Sequence, residues 1–318
     1  MLERAIEAQA DLRHPGSGDA QPQYEVAVKQ FSFRELTVRR FMRHPLAKWG
    51  VVGLVIIAIA CYGAPVWHHF FPNFILSATD FDVTQARQGP SLAHPFGTDS
   101  LNGQDIFSLV LWGGQMSLII GIGSMILATT LGVSVGAFAG YFGGVIDAVM
   151  MRLTDVLLTL PALLIVPLAS RIFGADNPLY IALIFGFLSW QSIARIVRSQ
   201  FLSLREMQFT EAARALGVPP IRIIFRHLLP NAIGPIAVAF TLGIAGNIVL
   251  EAFISFLGFG IQPPQVSWGS ILGQAEEYLI EGNWWWITFP GIMITVTVLC
   301  VNFIGDGLRD AFDPKIVD

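Results

Sequence analysis

The sequence predicts an all-α integral membrane protein that crosses the bilayer six times. Of its 318 residues, 53% are hydrophobic and only 13% are Asp, Glu, Lys or Arg, about half the charge of an ordinary soluble domain. Mean hydropathy is +0.60, and apolar runs long enough to cross a bilayer, about 20 residues each, recur along the chain. We place the spans at roughly 48–68, 115–139, 146–169, 179–199, 232–256 and 285–306.

The distribution of Lys and Arg predicts how these spans are oriented. Seventeen of the nineteen basic residues lie before span one, at the start of span three, between 195 and 226, or after span six; only Arg87 and Arg171 fall in the alternate loops. Basic residues concentrate on the cytoplasmic side of membrane proteins. Both termini and the polar insert at 200–231 are therefore predicted to be cytoplasmic. The loops at 69–114, 170–178 and 257–284 are predicted to face outward.

The regions outside the spans define the remaining domains. Residues 1–30 are polar and contain a Pro-Gly-Ser-Gly run, which predicts a disordered cytoplasmic tail. Residues 31–46 mix aromatic and basic side chains, typical of a helix lying in the inner membrane interface; the alternative is a merely basic stop signal. The membrane-spanning domain is predicted at 47–310, and a short cytoplasmic tail at 311–318.

The polar insert carries the most specific pattern in the chain. It reads Glu211-Ala-Ala-Arg-Ala-Leu-Gly217, then nine residues, then His227-Leu-Leu-Pro230. Gly217 suits the left-handed end of a helix, and the two prolines that follow prevent simple continuation. We predict two helices, 204–216 and 221–229, that meet at a corner. Their small alanine surface suits close approach by another protein; the alternative is an amphipathic loop on the bilayer.

Four glycines at every fourth position in and just after span two predict a groove for a neighbouring helix; a ligand site is the alternative. They are Gly132, Gly136, Gly140 and Gly144. Pro161 and Pro167 are expected to bend span three.

Polar residues within the spans are few. Asn247 and Glu251 lie four residues apart on span five, and ionisable groups at such depth usually face a cavity or a partner. They are candidates for the translocation path, although Glu251 could equally bond to a helix end. Asp147 and Asp155 flank Arg152, which predicts a local charge network.

Common nucleotide-binding and catalytic motifs are missing from the sequence. None of the three lysines follows a glycine, so the chain has no Walker A loop to bind ATP. There is no H-E-x-x-H, C-x-x-C or G-x-S-x-G motif, and Cys61 and Cys300 are interpreted as buried hydrophobic residues. We therefore expect no catalytic residue, no metal site and no cofactor bound by this chain.

The insert resembles the EAA motif of ABC importer permeases, EAA-x3-G-x9-I-x-LP, with His227 at the Ile position. The resemblance extends from about residue 40 onward, and the chain is similar to the second permease subunit of dipeptide/oligopeptide ABC importers. Its supporting runs are His44–Ala47, Gly97–Asp99, Ala139–Gly144, Met151–Asp155, Ser255–Gly260, Gln262–Pro264, Gly305–Asp310 and Asp313-Pro314.

This resemblance implies a type I importer permease with a cytoplasmic coupling helix, in a bacterial inner membrane. The implied partners are a homologous second permease in a heterodimer, two ABC ATPase subunits that carry ATP and Mg²⁺, an extracytoplasmic substrate-binding protein, a peptide substrate and membrane lipid, with no nucleic acid. The implied ATPase-docking residues are Glu211, Ala212, Ala213, Arg214, Leu216 and Gly217.

Three positions depart from the family, because Gln104, Leu109 and Gln115 stand where arginines are common. We expect a difference there in contact with the partner permease or the binding protein.

Nickel complexes, glutathione or sugars are alternative cargoes. An ion-coupled secondary transporter is the alternative from another class, which would leave the insert unexplained. An intramembrane hydrolase lacks a nucleophile–base constellation.

Overall fold

The computed structural model describes residues 33–72, 74–173 and 177–313, and within these ranges the chain is helical, with one isolated β-bridge between Thr98 and Asp105. The helices, in chain order, are α1 (Phe33–Arg43), α2 (Pro45–Tyr62), α3 (Ala64–Phe70), α4 (Ile106–Phe142), α5 (Gly144–Leu158), α6 (Ala162–Phe173), α7 (Pro178–Leu204), α8 (Gln208–Ala215), α9 (Pro220–Ile223), α10 (Leu229–Phe256), α11 (Trp268–Glu276) and α12 (Trp284–Phe312). A π-helical turn, Ile224–Leu228, joins α9 to α10.

Among the described residues, five helices are long and apolar enough to cross a bilayer, and a bent pair can supply the sixth predicted span. The five are α2, α4, α7, the run Pro220–Phe256 and α12. The pair α5 and α6 is bent by 85°. Its break falls just before Pro161, whose missing N–H and ring interrupt a helix, so the predicted bend is confirmed there, whereas Pro167 lies inside α6.

Several span ends differ from the prediction for local reasons. The second span starts nine residues early, at Ile106 rather than 115. The Asp105 side chain caps this start by accepting the Ser108 N–H over 2.8 Å, and glycines and serines had diluted the hydropathy there. Helix α2, which corresponds to the first predicted span, ends at Tyr62 rather than 68, and Gly63 separates it from α3.

The helix α1 lies within the predicted 31–46 segment and ends at Arg43. The side chain of the next residue, His44, caps α2. Its place in the membrane interface stays a prediction. The predicted tail at 1–30 lies outside the described residues. Helix α12 runs to Phe312, two residues past the predicted domain end at 310, and residues 314–318 also lie outside the described part.

The glycines of α4 form a close contact with a neighbouring helix, and the packing prediction is confirmed for three of them. A Cβ at Gly132 would lie 2.7 Å from the Cβ of Ile193, and one at Gly140 would lie 2.6 Å from that of Phe201. Gly136 lies between them against Val197 in the same way. Because both sets advance by four, α4 and α7 run parallel with their backbones nearly touching.

Two ion pairs fasten α5 to α7, and they correct the predicted charge network. Arg198 binds both carboxylate oxygens of Asp147, over 2.5 and 2.6 Å, and Arg195 binds Asp155 over 2.6 Å. The prediction paired these aspartates with Arg152 on their own helix. The α7 guanidiniums bind them instead, and Arg198 binds Asp147 in the bidentate geometry that makes such a pair strong.

The two ends of the bundle carry different structures. Residues 205–219 form the insert end. At the cap end, residues 74–105 pack against the start of α12. The Trp285 indole N–H donates to the Thr98 carbonyl over 3.1 Å, and the Asn283 amide donates to the Ser100 hydroxyl over 2.6 Å.

Candidate functional site

The insert begins with a break that the sequence did not predict. The expected helix starting at 204 is wrong, because α7 ends at Leu204 and α8 begins at Gln208. The Thr210 hydroxyl donates to the Leu204 carbonyl over 2.9 Å, so a side chain takes the bond that a continuing helix would make. The Arg205 guanidinium donates to the Gly140 carbonyl over 3.2 Å and ties this turn to the end of α4.

Helix α8 lies with one face against the bundle. Thr210 and Ala213 are buried, and the guanidinium of Arg214 stacks over the Tyr141 ring at 5.2 Å from its centroid. A cation above an aromatic face is attracted to it. These contacts fix the orientation of the short helix relative to α4.

The opposite face of the insert is exposed. Glu211, Ala212 and Gly217 are exposed, and Leu216 stands at the tip with 83% of its surface accessible. Gly217 has φ +73°, which confirms the predicted left-handed residue. Of the six candidate docking residues, Ala213 alone is buried.

The second predicted helix, 221–229, is not a separate element. The chain passes from α9 through the π turn into α10, with the Leu229 N–H bonding the Ile224 carbonyl. Pro230 brings no N–H to the ladder, and the Asn231 amide caps the His227 carbonyl over 2.6 Å instead. The corner therefore lies at 216–219 only, and the insert leads directly into a 37-residue helical run, Pro220–Phe256.

Sequence reasoning missed an apolar extension of the exposed face. Ile221 and Phe225 are each 51% exposed, close in sequence to Leu216. Their signal was present, because apolar residues four apart at the start of a helix share one face.

The two candidate translocation residues lie on α10, and their side chains bond to serines on α4. The Asn247 amide donates to the Ser124 hydroxyl over 2.7 Å, and Glu251, 1% exposed, accepts the Ser117 hydroxyl over 2.9 Å. Ser117 in turn accepts the N–H of Trp268 at the start of α11 over 3.3 Å. Glu251 thus bonds to a helix end through a serine, one of its two predicted roles. Its role in the translocation path stays a prediction, as does that of Asn247.

The three family departures turn inward within the described chain. The Gln104 amide donates to the Ala78 carbonyl over 2.6 Å, the Gln115 amide donates to the Cys61 carbonyl over 2.8 Å, and Leu109 is buried in the core. The neutral side chains of Gln104 and Gln115 therefore hydrogen-bond to backbone carbonyls of the same chain.

Asp99, in the cap-end loop, is fully buried. Its Oδ1 accepts the N–H groups of Asn102 and Gln104 over 2.8 and 3.1 Å, while Oδ2 has no hydrogen-bond partner among the described residues. Burial raises the pKa of this carboxyl, against the lowering effect of those bonds.

No three His, Cys, Asp or Glu side chains within residues 33–72, 74–173 and 177–313 converge as metal ligands. The insert offers a contact surface for another protein: the small charged helix α8, followed by an apolar tip at Leu216. This surface is joined directly to the helical run Pro220–Phe256.

Comparison with known proteins agrees with this architecture. Residues 132–318 match the family model described as "Binding-protein-dependent transport system inner membrane component", and residues 32–90 match the "N-terminal TM domain of oligopeptide transport permease C". The chain is 40% identical over 277 residues to the oligopeptide transport system permease protein OppC of Haemophilus influenzae, covering 87% of each chain. It is 41% identical to a Brucella abortus protein named as a peptide transport system permease, covering 88% of this chain and 92% of the relative. In structure, it resembles a chain of the MetNI methionine ABC transporter in an inward-facing conformation, with a TM-score of 0.51 and 20% identity over 64% of this chain and 96% of that one.

Proposed function

This chain belongs to the family of binding-protein-dependent transport system inner membrane components, and from that premise we propose that it forms one half of the pore of an ATP-driven peptide importer. Peptide cargo is supported by the names of the relatives, which describe oligopeptide and peptide permeases. In this proposal a homologous permease supplies the other half of the pore. Two ATPase subunits bind ATP and Mg²⁺, and an extracytoplasmic binding protein delivers the peptide.

The exposed insert is the observation that carries the proposal. Leu216, Glu211 and Ala212 project from the end of the bundle, while Arg214 and Thr210 hold the base of α8 in place. A partner that grips this face can push on α10, because only the π turn and α9 lie between them. The insert is cytoplasmic in this proposal, as the basic bias around residues 195–226 predicts, and so are both termini.

The test is uptake of labelled di- to octapeptides by the assembled transporter in vesicles. Glu211→Lys and Leu216→Glu change the exposed face without a buried contact, and we expect both to lose the ATPase on purification and to lose ATP-dependent uptake. Glu206→Lys is the matched control, because Glu206 is an exposed acid of the same insert that lies outside the EAA pattern. Normal uptake in both variants would contradict the docking role.

Cargo is tested separately in the same vesicles. Peptides should compete with the labelled substrate, whereas nickel complexes, glutathione and sugars should not. Retention of the ATPase together with uptake of one of those other compounds would keep the coupling mechanism and reject the peptide assignment.

A further inference from the structure

The Glu251 carboxylate organises more of the chain than the two serines that touch it. Ser117 on α4 donates its hydroxyl proton to Oε2 over 2.9 Å, and Ser255 on α10 donates to Oε1 over 2.7 Å. A serine hydroxyl has one proton to donate and two lone pairs that accept. Because each proton is directed at Glu251, the lone pairs of both hydroxyls remain available to other donors.

Both hydroxyls use those lone pairs for the same piece of chain, residues 257–268, here called the outer segment. The Ile261 N–H donates to the Ser255 hydroxyl over 3.2 Å, and the Trp268 N–H donates to the Ser117 hydroxyl over 3.3 Å. All of these bonds are buried. Glu251 therefore orients, through two serines, the acceptors for two backbone donors of the outer segment.

Close packing reinforces these bonds. A Cβ at Gly113 on α4 would lie 3.1 Å from the backbone of Ser267, and one at Gly273 on α11 would lie 2.6 Å from the Phe256 carbonyl oxygen. The Trp268 side chain is fully buried, and its indole N–H donates to the Val110 carbonyl over 2.9 Å. The outer segment and α11 are thus wedged between α4 and α10.

The helical run that carries Glu251 begins directly after the corner of the insert. It extends from Pro220 to Phe256, about 55 Å at 1.5 Å per residue. The insert precedes one end, and the carboxylate lies five residues from the other. A displacement of the insert reaches the outer segment through this run and through the bonds that Glu251 organises.

We propose that Glu251 is a positioning residue of the transport cycle, which makes the outer segment follow α10 and α4 as one body when the insert moves. The inference rests on the proposed function for the direction of the push and for placing the outer segment at the external mouth. It assigns Glu251 a transmission role, distinct from contact with cargo.

The first test is hydrogen–deuterium exchange of the assembled transporter in nanodiscs, which needs no substrate. Ser255→Ala should raise exchange at Ile261, and Ser117→Ala should raise it at Trp268, each by about five- to tenfold for one lost hydrogen bond. Glu251→Leu should raise exchange at both Ile261 and Trp268. Glu251→Gln keeps one acceptor oxygen, so it should raise exchange at one of these two positions more than at the other. Asn247→Ala is the matched control: it removes a bond to Ser124 on the same helix pair and should leave the outer segment unchanged.

The second test separates transmission from structure. In Glu251→Gln the ATPase should stay bound and hydrolyse ATP near the wild-type rate, while peptide imported per ATP falls by roughly two- to thirtyfold. Unchanged exchange at Ile261 and Trp268 in both Glu251 variants would overturn the proposal, as would raised exchange with normal import per ATP. Failure of the wild-type protein to import peptide would count against the proposed function alone, because the exchange pattern is measured without cargo.

Discussion

Replacing Gly136 by alanine should destabilise the bundle although alanine is the better helix former. The new Cβ would lie 2.8 Å from the Cβ of Val197 and closer still to the Ala194 carbonyl oxygen, whereas carbon atoms pack best at about 3.5–4.0 Å. The parallel helices α4 and α7 must separate by roughly 1 Å at this point. Overpacking of this kind costs about 1–3 kcal/mol, and the gain in helix propensity returns about 1 kcal/mol. We expect a net loss of up to about 2 kcal/mol.

The assay is unfolding of the purified full-length chain in detergent, followed by tryptophan fluorescence as the denaturing detergent SDS is added. Gly246→Ala is the control, because Gly246 is also inside a transmembrane helix but has nothing within 4 Å of its Cβ position. That variant should keep or slightly increase stability. Equal losses in the two variants would show that glycine matters here through the helix backbone and not through contact with α7.

The remaining predictions concern an ion pair, a turn and a buried acid. Asp147→Asn should lower stability by about 1 kcal/mol, a value kept small because the Arg198 side chain is partly exposed, and exchanging the two residues should restore the unfolding midpoint. At Gly217, where φ is +73°, asparagine should cost about 1 kcal/mol and valine about 2 kcal/mol, with ATPase copurification falling in that order; equal copurification would contradict this. Because burial raises the pKa of Asp99, the folded chain holds a proton in a pH window where the unfolded chain has lost it, so stability should fall as pH rises through that window. Asp99→Asn should flatten this dependence above about pH 4, near the ordinary pKa of an aspartate, in melting experiments, and parallel curves would refute the assignment.

Local patterns predicted much of this fold. The apolar runs located the spans, because a bilayer imposes one length on every helix that crosses it. Gly132 and Gly140 predicted the α4–α7 contact since only small residues allow two backbones so close. The glycine at position 217 predicted the left-handed backbone conformation found there. Each of these features depends on a few neighbouring residues.

Some errors came from bonds between residues distant in sequence, and others from local bonds that interrupt or continue a helix. Asp147 binds Arg198, 51 residues away, and sequence spacing had favoured Arg152. The insert helix starts late because a threonine hydroxyl competes for the Leu204 carbonyl. The second insert helix was predicted to end at 229, yet a π turn before Pro230 lets the helix continue. Serines that only diluted the hydropathy, Ser117 among them, became partners of Glu251.

The broken third span has a consequence for how the chain is made. Helices α5 and α6 have 15 and 12 residues, about 22 and 18 Å, and neither alone covers a hydrocarbon core of about 30 Å. The aspartates of α5 find their arginines only on α7, which leaves the ribosome later. We expect the nascent α5–α6 segment to wait beside the translocon until α7 arrives, so that the two spans enter the lipid as a pair. Truncation before residue 195 should then leave a chain that the cell's membrane proteases remove.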